Sequence, residues 1–227
     1  MSSDGGRGPS RRSVVRDSLG VGVATGAYGV SFGAISVGSG FSVAQTCVLS
    51  LLVFTGASQF ALVGVVASGG NPLTGAVSAL LLGSRNTLYG LRLAPLLGWT
   101  GGRRAGAAHL VIDESTAMSV SQPDRDLARV GFLVTGVCVF VLWNTATFAG
   151  AVGGEAIGDP RTYGLDAAVG AAFLALLWPR LSGGTQRLAA LLAALLALGL
   201  VPLTTPGVPV LAAGLVAVAL GLRMRRT

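Results

Sequence analysis

Residues 18–84, SLGVGVATGAYGVSFGAISVGSGFSVAQTCVLSLLVFTGASQFALVGVVASGGNPLTGAVSALLLGS, decide the fold: no charged side chain occurs in the 67 positions between Asp17 and Arg85. A helix needs roughly 20 apolar residues to cross a bilayer core of about 30 Å, so this run alone has room for at least two crossings. Two further uncharged runs, 130–154 and 188–222, are 25 and 35 residues long. Across 227 residues, 52% are hydrophobic and 11% charged, against about 25% charged in soluble domains. That composition excludes a water-soluble enzyme. Cys47 and Cys138 both lie inside apolar runs, which excludes a secreted disulfide scaffold. The expected fold is all-α: a polytopic helical membrane protein of about 6–7 membrane segments, one of them broken or re-entrant.

The formal charge of +7 does not point to nucleic acid. All sixteen basic residues are arginine and they gather at segment ends: Arg7, Arg11, Arg12 and Arg16, then Arg103 and Arg104, Arg125 and Arg129, and Arg223, Arg225 and Arg226. That is the pattern of cytoplasmic loops. A nucleic-acid surface wants a basic stripe with interleaved aromatics, and aromatics make up only 6%.

Three regions follow. Residues 1–17 read as a polar, disordered cytoplasmic N-terminus, not a cleavable signal, because the apolar run behind them far exceeds a signal's core. Residues 18–222 read as one transmembrane domain, and 223–227 as a basic cytoplasmic tail. Within the domain, spans are expected at about Leu19–Val37, Val43–Ala67, Leu73–Leu97, Val130–Ala151 and Leu165–Leu181. A connecting region covers 99–128 and an acidic loop carries Glu155 and Asp159. A closing hairpin, 188–203 and 207–222, turns at Pro202–Pro209; each 16-residue arm is short for a crossing, about 24 Å. Gly22, Gly26, Gly29 and Gly33 recur along one helical face, a stripe that lets helix backbones approach closely in lipid. Placing both arginine-rich ends in the cytoplasm leaves one apolar span too many between residues 18 and 99. Either one of the first three does not cross, or 107–121 forms an extra passage. Arg85-Asn86 lies mid-span between Gly83 and Gly90, which favours a broken or re-entrant third segment.

Arg85 is the most informative position. Arginine at the centre of an apolar helix costs about 2.5–3.5 kcal/mol on insertion scales, so it faces the bundle interior and needs an anion or carbonyl partner. A substrate carboxylate and a structural or proton-carrying acid are both open to it, and Asn86 adds a donor and an acceptor beside it. Thr55, Ser58 and Gln59 bring three polar side chains within one and a half turns. Gly56 among them lets the helix unwind and free backbone groups for a ligand; the plainer role is interhelical hydrogen bonding, about 0.6 kcal/mol per bond. His109, Asp113 and Glu114 form an H-x3-D-E pattern that, on one helix, puts His109 and Asp113 on a shared face. A proton relay or gate and a solvated cytoplasmic helix are the readings of it, and the donors are too few to name a metal. Asn144, beside Trp143 and Thr145, is a further intramembrane polar group. No Gly-x4-Gly-Lys-Ser/Thr phosphate loop is present, so the chain is not expected to hydrolyse ATP. No enzyme activity and no cofactor or metal is called for, which leaves a small transporter or a transporter subunit.

Gly29-x3-Gly33, the stretch Phe54-Thr55-Gly56-Ala57-Ser58-Gln59-Phe60, Arg85-Asn86 followed by Leu88-Tyr89-Gly90, and Asp113-Glu114 occur in this order. Together they resemble the AzlC family, the large subunit of bacterial branched-chain amino acid exporters, from about residue 16 to 222. The resemblance implies a multi-pass protein of the bacterial cytoplasmic membrane that exports valine, leucine, isoleucine and, as a further candidate, methionine. It also implies a separate small membrane subunit of the AzlD type; a higher oligomer is left open. On this basis the zwitterion is expected to be held by Gln59, Arg85 and Asn86, with an apolar pocket from the first two spans. Transport would be secondary and proton-coupled. A non-transporting membrane scaffold and a facilitative channel for small solutes are the competing readings. The polar residues at bilayer depth weigh against a scaffold.

Overall fold

A computed structural model describes residues 9–157, 181–205 and 207–224, with Leu174, Leu177 and Trp178. Among the described residues there are helices and no strands. The helices are α1 Arg11–Ala27, α2 Gly29–Gly38, α3 Val43–Leu52, α4 Ala57–Ala67, α5 Pro72–Gly83, α6 Arg85–Leu97, α7 Gly101–His109, α8 Asp113–Val120, α9 Arg125–Ile157, α10 Gly184–Leu200 and α11 Val208–Met224. Their starts are encoded locally. Ser10 and Ser13 form a reciprocal capping box at α1, and Ser42 and Gln45 form another at α3. Asn71 accepts from the Leu73 amide at 2.8 Å ahead of Pro72, a residue preorganised for the first helical position.

The longest helix, α9, has 33 residues, about 50 Å at 1.5 Å per residue, and the rest is arranged around it. The glycine stripe of α1 and α2 lies on it: a Cβ at Gly22, Gly26 or Gly33 would overlap Cys138, Leu142 or Thr147. Close backbone packing is therefore what the stripe does. The paired numbers rise together, so α1–α2 runs parallel to α9. Arg11, Arg12 and Arg16 consequently lie at the same end of the molecule as Arg125 and Arg129, here called the basic end.

From the far end, α3 runs back towards the centre. Ser36 and Thr46 hydroxyls pair at 2.8 Å, and Ser50 donates to Thr147 at 3.5 Å. The chain then reverses over Val53–Gly56, and α4 climbs outward again beside α2. Phe60 meets Tyr28 and Phe32 with ring centroids 5.8 and 5.3 Å apart, and Gln59 donates across the hairpin to the Leu49 carbonyl. Next, α5 descends along α4, with Gly75 against Leu62 and Val65, and Gly83 against Ser58. At Ser84 the backbone stays near helical values (φ −57°, ψ −26°), so the chain kinks without reversing. α6 reaches the basic end, where the Leu97 carbonyl accepts from Arg129 at 2.8 Å.

A second hairpin starts from that end. Trp99 packs edge-on to Phe132 and His109 to Phe140, centroids 5.8 and 5.5 Å apart, so α7 climbs from the basic end towards mid-height. The chain reverses over Leu110–Ile112, and α8 returns with Leu110 against Gly136 and Met118 against Gly131. The pair α1–α2 with hairpin α3–α4 is thus matched, upside down, by α5–α6 with hairpin α7–α8. The two hairpin tips meet at mid-height. α10 and α11 pack on each other, and α11 lies against α5 through Gly207 with Thr74 and Gly214 with Leu81.

Arg11–Gly38 and Arg125–Ala156 are long and apolar enough to cross a membrane. Beside an aromatic and aliphatic core that includes Phe32, Phe60 and Phe132, the molecule buries small polar side chains and exposes leucines. Ser36, Thr46, Ser50, Gln59, Thr135 and Thr147 are fully buried, while Leu52, Leu73, Leu80 and Leu88 are about 70% exposed. Polar side chains inside and leucine outside is the arrangement that lipid selects.

Several expectations change. Residues 11–17 are helical, because the Ser10–Ser13 cap starts α1 ahead of the apolar run. The segment that turns back is the second, Val43–Ala67; the third is broken at Ser84 yet keeps its direction. Region 99–128 is not a simple connection but the hairpin α7–α8. Glu155 belongs to α9 and not to a loop. The expected span Leu165–Leu181 and Asp159 lie outside the described residues, apart from Leu174, Leu177, Trp178 and Leu181.

Candidate functional site

Four helix interruptions converge on one cavity of about 220 Å³: Tyr28 between α1 and α2, Phe54–Gly56 between α3 and α4, Arg85 at the start of α6, and Ile112–Asp113 at the start of α8. Thr25, Ala57, Phe60, Leu82, Asn86, Glu114, Val139, Trp143 and Leu177 complete the lining, which is mostly apolar. Interrupted helices at mid-depth free backbone groups that regular helices would consume, and bundles tolerate this only around a cavity.

At the α8 tip the chemistry is self-consistent. Asp113 and Glu114 occupy the first turn, where the exposed amides and the helix dipole favour negative charge. Arg85 starts α6, the end of a helix that disfavours a cation. The Arg85 Nη2–Asp113 Oδ2 ion pair, at 3.1 Å with each side chain 25% exposed, resolves that conflict. The Ser115 hydroxyl donates to the Leu110 carbonyl at 2.6 Å, and the Ile112 amide donates to the Ser115 oxygen at 3.1 Å. These bonds hold the reversal in place.

The α4 tip lacks such closure. Gly56 has φ +58° and ψ −81°, a conformation that glycine alone reaches cheaply, and no side chain caps the helix it precedes. Thr55 Oγ1, Ser58 Oγ, Asn86 Oδ1, Arg85 Nε and Trp143 Nε1 are buried with no hydrogen-bond partner among the described residues. Native interiors leave few such atoms, and each marks strain, water or a ligand.

The predicted residues divide accordingly. Thr55, Arg85, Asn86, Asp113 and Glu114 line the central cavity. Ser58 and His109 line an adjoining cavity of about 640 Å³, which shares Thr55 and Asn86 with the first. A third, of about 400 Å³ between α6 and α7, again includes Asn86. Gln59 is fully buried against α3 and away from the central cavity, so it is not part of that lining. Asn144 bonds the Phe140 carbonyl one turn back on α9 at 2.8 Å and also lies outside it. The shared His109–Asp113 face does not exist: α7 ends at His109 and α8 begins at Asp113. His109 meets Phe54 at a tilt and Phe140 edge-on, while Asp113 turns to Arg85. The sequence reading missed Tyr28, Phe60, Val139 and Trp143 as lining. For Tyr28 and Trp143 the one signal was an aromatic ring with a polar tip inside an uncharged run of an aromatic-poor chain; Phe60 and Val139 carried none.

The family model described as AzlC protein matches residues 20–157, well over half of the chain. No curated protein and no solved structure matches. The matched region holds the glycine stripe, both hairpins and all of the cavity lining except Leu177, and it stops where α9 ends, short of the extent expected to residue 222. The match fits a transport-related membrane protein with an all-helical fold. The chain belongs to the AzlC family.

Proposed function

We propose that this chain is the large subunit of a secondary, proton-coupled exporter of branched-chain amino acids in the bacterial cytoplasmic membrane, and not an enzyme. Valine, leucine and isoleucine are the proposed substrates, with methionine a further one. The observation that carries this reading is the central cavity. Its volume, about 220 Å³, falls below the 300–1,000 Å³ of sites for drug-sized ligands and suits a small solute. Tyr28, Phe60, Val139 and Trp143 supply an apolar wall for a branched side chain, and Thr55, Asn86, Arg85, Asp113 and Glu114 supply polar groups on the other sides. The sequence has no phosphate loop, so the driving force is a gradient.

In this reading α1–α2, α5–α6 and α9 cross the membrane, and the two hairpins re-enter it from opposite faces. With the span expected from sequence at Leu165–Leu181, and with α10 and α11, six crossings return both arginine-rich ends to the cytoplasm. Inverted pairs of interrupted helices around a midplane site are the architecture of alternating access. A small AzlD-type subunit is the proposed partner. α7 reaches the centre of the molecule with no buried residue, and a helical subunit against α6 and α7 would cover it.

The test is efflux of valine, isoleucine and methionine from dipeptide-loaded cells carrying this chain, the small subunit, or both. Faster efflux with both, lost when the proton gradient is collapsed, supports the reading. Efflux that survives without a gradient identifies a channel instead. No efflux despite confirmed insertion of both overturns the reading and leaves either a different substrate or a scaffold.

A further inference from the structure

We propose that the amino acid enters from the basic end, along the cavity between α6 and α7, and that Asn86 is the side chain that admits it to the central cavity. This rests on the amino acid reading above and adds the path and the residue that controls it. Three cavities carry the inference. The one between α6 and α7, of about 400 Å³, has Leu97, Trp99 and Arg104 in its lining at the basic end and Asn86 at mid-height. It therefore follows the length of α6. The cavity of about 640 Å³ shares Asn86, Thr87, Ala108 and Val111 with it, and shares Phe54, Thr55 and Asn86 with the central cavity. Among the described residues, Asn86 alone lines all three.

What marks these cavities as a path is the polar atoms where they join. Asn86 Oδ1 and Thr55 Oγ1, in the shared walls, and Ser58 Oγ, in the wall of the larger cavity, are buried with no hydrogen-bond partner among the described residues. A dry, unpaired polar atom at bilayer depth is costly, and spaces of this size beside such atoms hold water or a polar solute. The connected spaces are thus hydrated, which a zwitterion requires and a purely apolar groove does not provide. Asn86 suits the junction chemically. Its amide has a donor for the carboxylate and an acceptor for the ammonium. It has no charge to hold either one, and a passage needs binding weak enough to release. Arg85, the preceding residue, is instead engaged with Asp113 at 3.1 Å. Towards the basic end, the exposed Arg104 draws the carboxylate in.

The experiment places single cysteines in the full chain, with the free Cys47 and Cys138 changed to alanine and the small subunit supplied. Sealed vesicles receive a charged, membrane-impermeant methanethiosulfonate on the side that labels Ser10→Cys, which marks the basic end. The reagent reacts with thiolate, a form that needs water around it. Ala107→Cys, in the α6–α7 cavity, and Thr55→Cys, beyond the junction, should label at least tenfold faster than Val23→Cys, a residue 59% exposed on the outside of α1. Asn86→Leu should slow Thr55→Cys at least tenfold and leave Ala107→Cys within about twofold, a split that loss of the fold would not produce. With Asn86 in place, saturating valine should slow Thr55→Cys at least threefold. Ala107→Cys or Thr55→Cys labelling no faster than Val23→Cys would overturn the route on the Asn86 chain alone, whatever the leucine variant does. Thr55→Cys labelling equally with Asn86 and with Asn86→Leu would overturn the role of Asn86. Labelling as expected but unchanged by valine would leave the route standing and bring down the amino acid reading.

Discussion

At the tip of α3–α4 the chain reverses through Gly56 at φ +58°, ahead of a helix start that no side chain caps; at the tip of α7–α8 it reverses through Ile112 at φ −130°, where Ser115 bonds the Leu110 carbonyl and the Ile112 amide and Asp113 pairs with Arg85. The two tips occupy equivalent places in an inverted pair of helical units and face each other across one cavity. One holds its reversal with side-chain bonds to the backbone and an ion pair, and the other starts its helix without a cap. Substitutions at the α8 tip should register in folding as well as transport, and those at the α4 tip chiefly in transport.

The largest effect is expected at the α8 tip. Removing one member of a fully buried ion pair costs about 3–5 kcal/mol; with each side chain here 25% exposed, Arg85→Ala should cost about 2–3 kcal/mol in detergent unfolding and abolish efflux while the protein still inserts. Replacing both partners, Arg85→Leu with Asp113→Leu, should recover most of the stability and none of the efflux. Full recovery of efflux in the double variant would show that the pair is structural only.

Gly56→Ala should cost about 1–2 kcal/mol from its backbone conformation alone, since a Cβ there meets nothing within 4 Å. At the opposite tip Ile112→Val should lose about 1 kcal/mol by lost packing. Equal unfolding midpoints for Gly56→Ala and wild type would remove the argument for a strained α4 tip.

The sharpest contrast lies in two serines. Ser115→Ala should cost about 1 kcal/mol, the usual value of a capping hydroxyl, whereas Ser58→Ala should stay within about 0.5 kcal/mol, because the Ser58 oxygen has no partner among the described residues to lose. If Ser58→Ala proves the more destabilising of the two, the tips do not differ as described. Asn144→Ala removes one bond to the Phe140 carbonyl within α9; it should likewise cost only about 0.5 kcal/mol and leave efflux unchanged.

How much of this was legible depends on the residue. Arg85 was legible as needing a partner, because a guanidinium in an apolar run is costly wherever it sits. That the partner is Asp113 was not, since the pair forms only when α6 and α8 both start at mid-height. Gln59 carried the same polar signal as Thr55, four residues earlier, yet one is buried against α3 and the other lines the cavity. The His109–Asp113 face failed because spacing of four implies contact only on an unbroken helix, and Leu110–Ile112 interrupts it.

The sequence by itself determined the class of the molecule. Long uncharged runs, arginines at their ends and a glycine stripe are one-dimensional signals whose cost or benefit in lipid is additive and local. Where the chain reverses was left to the tertiary structure. A helix break inside a uniformly apolar run hardly changes hydropathy, and whether it becomes a kink, as at Ser84, or a full reversal, as at Gly56 and Leu110–Ile112, depends on which neighbours accept the freed backbone groups. At Leu110–Ile112 that neighbour is Ser115, close in sequence, whereas the Arg85–Asp113 pair joins α6 to α8, and contacts of that distant kind are what turn four separate interruptions into one site.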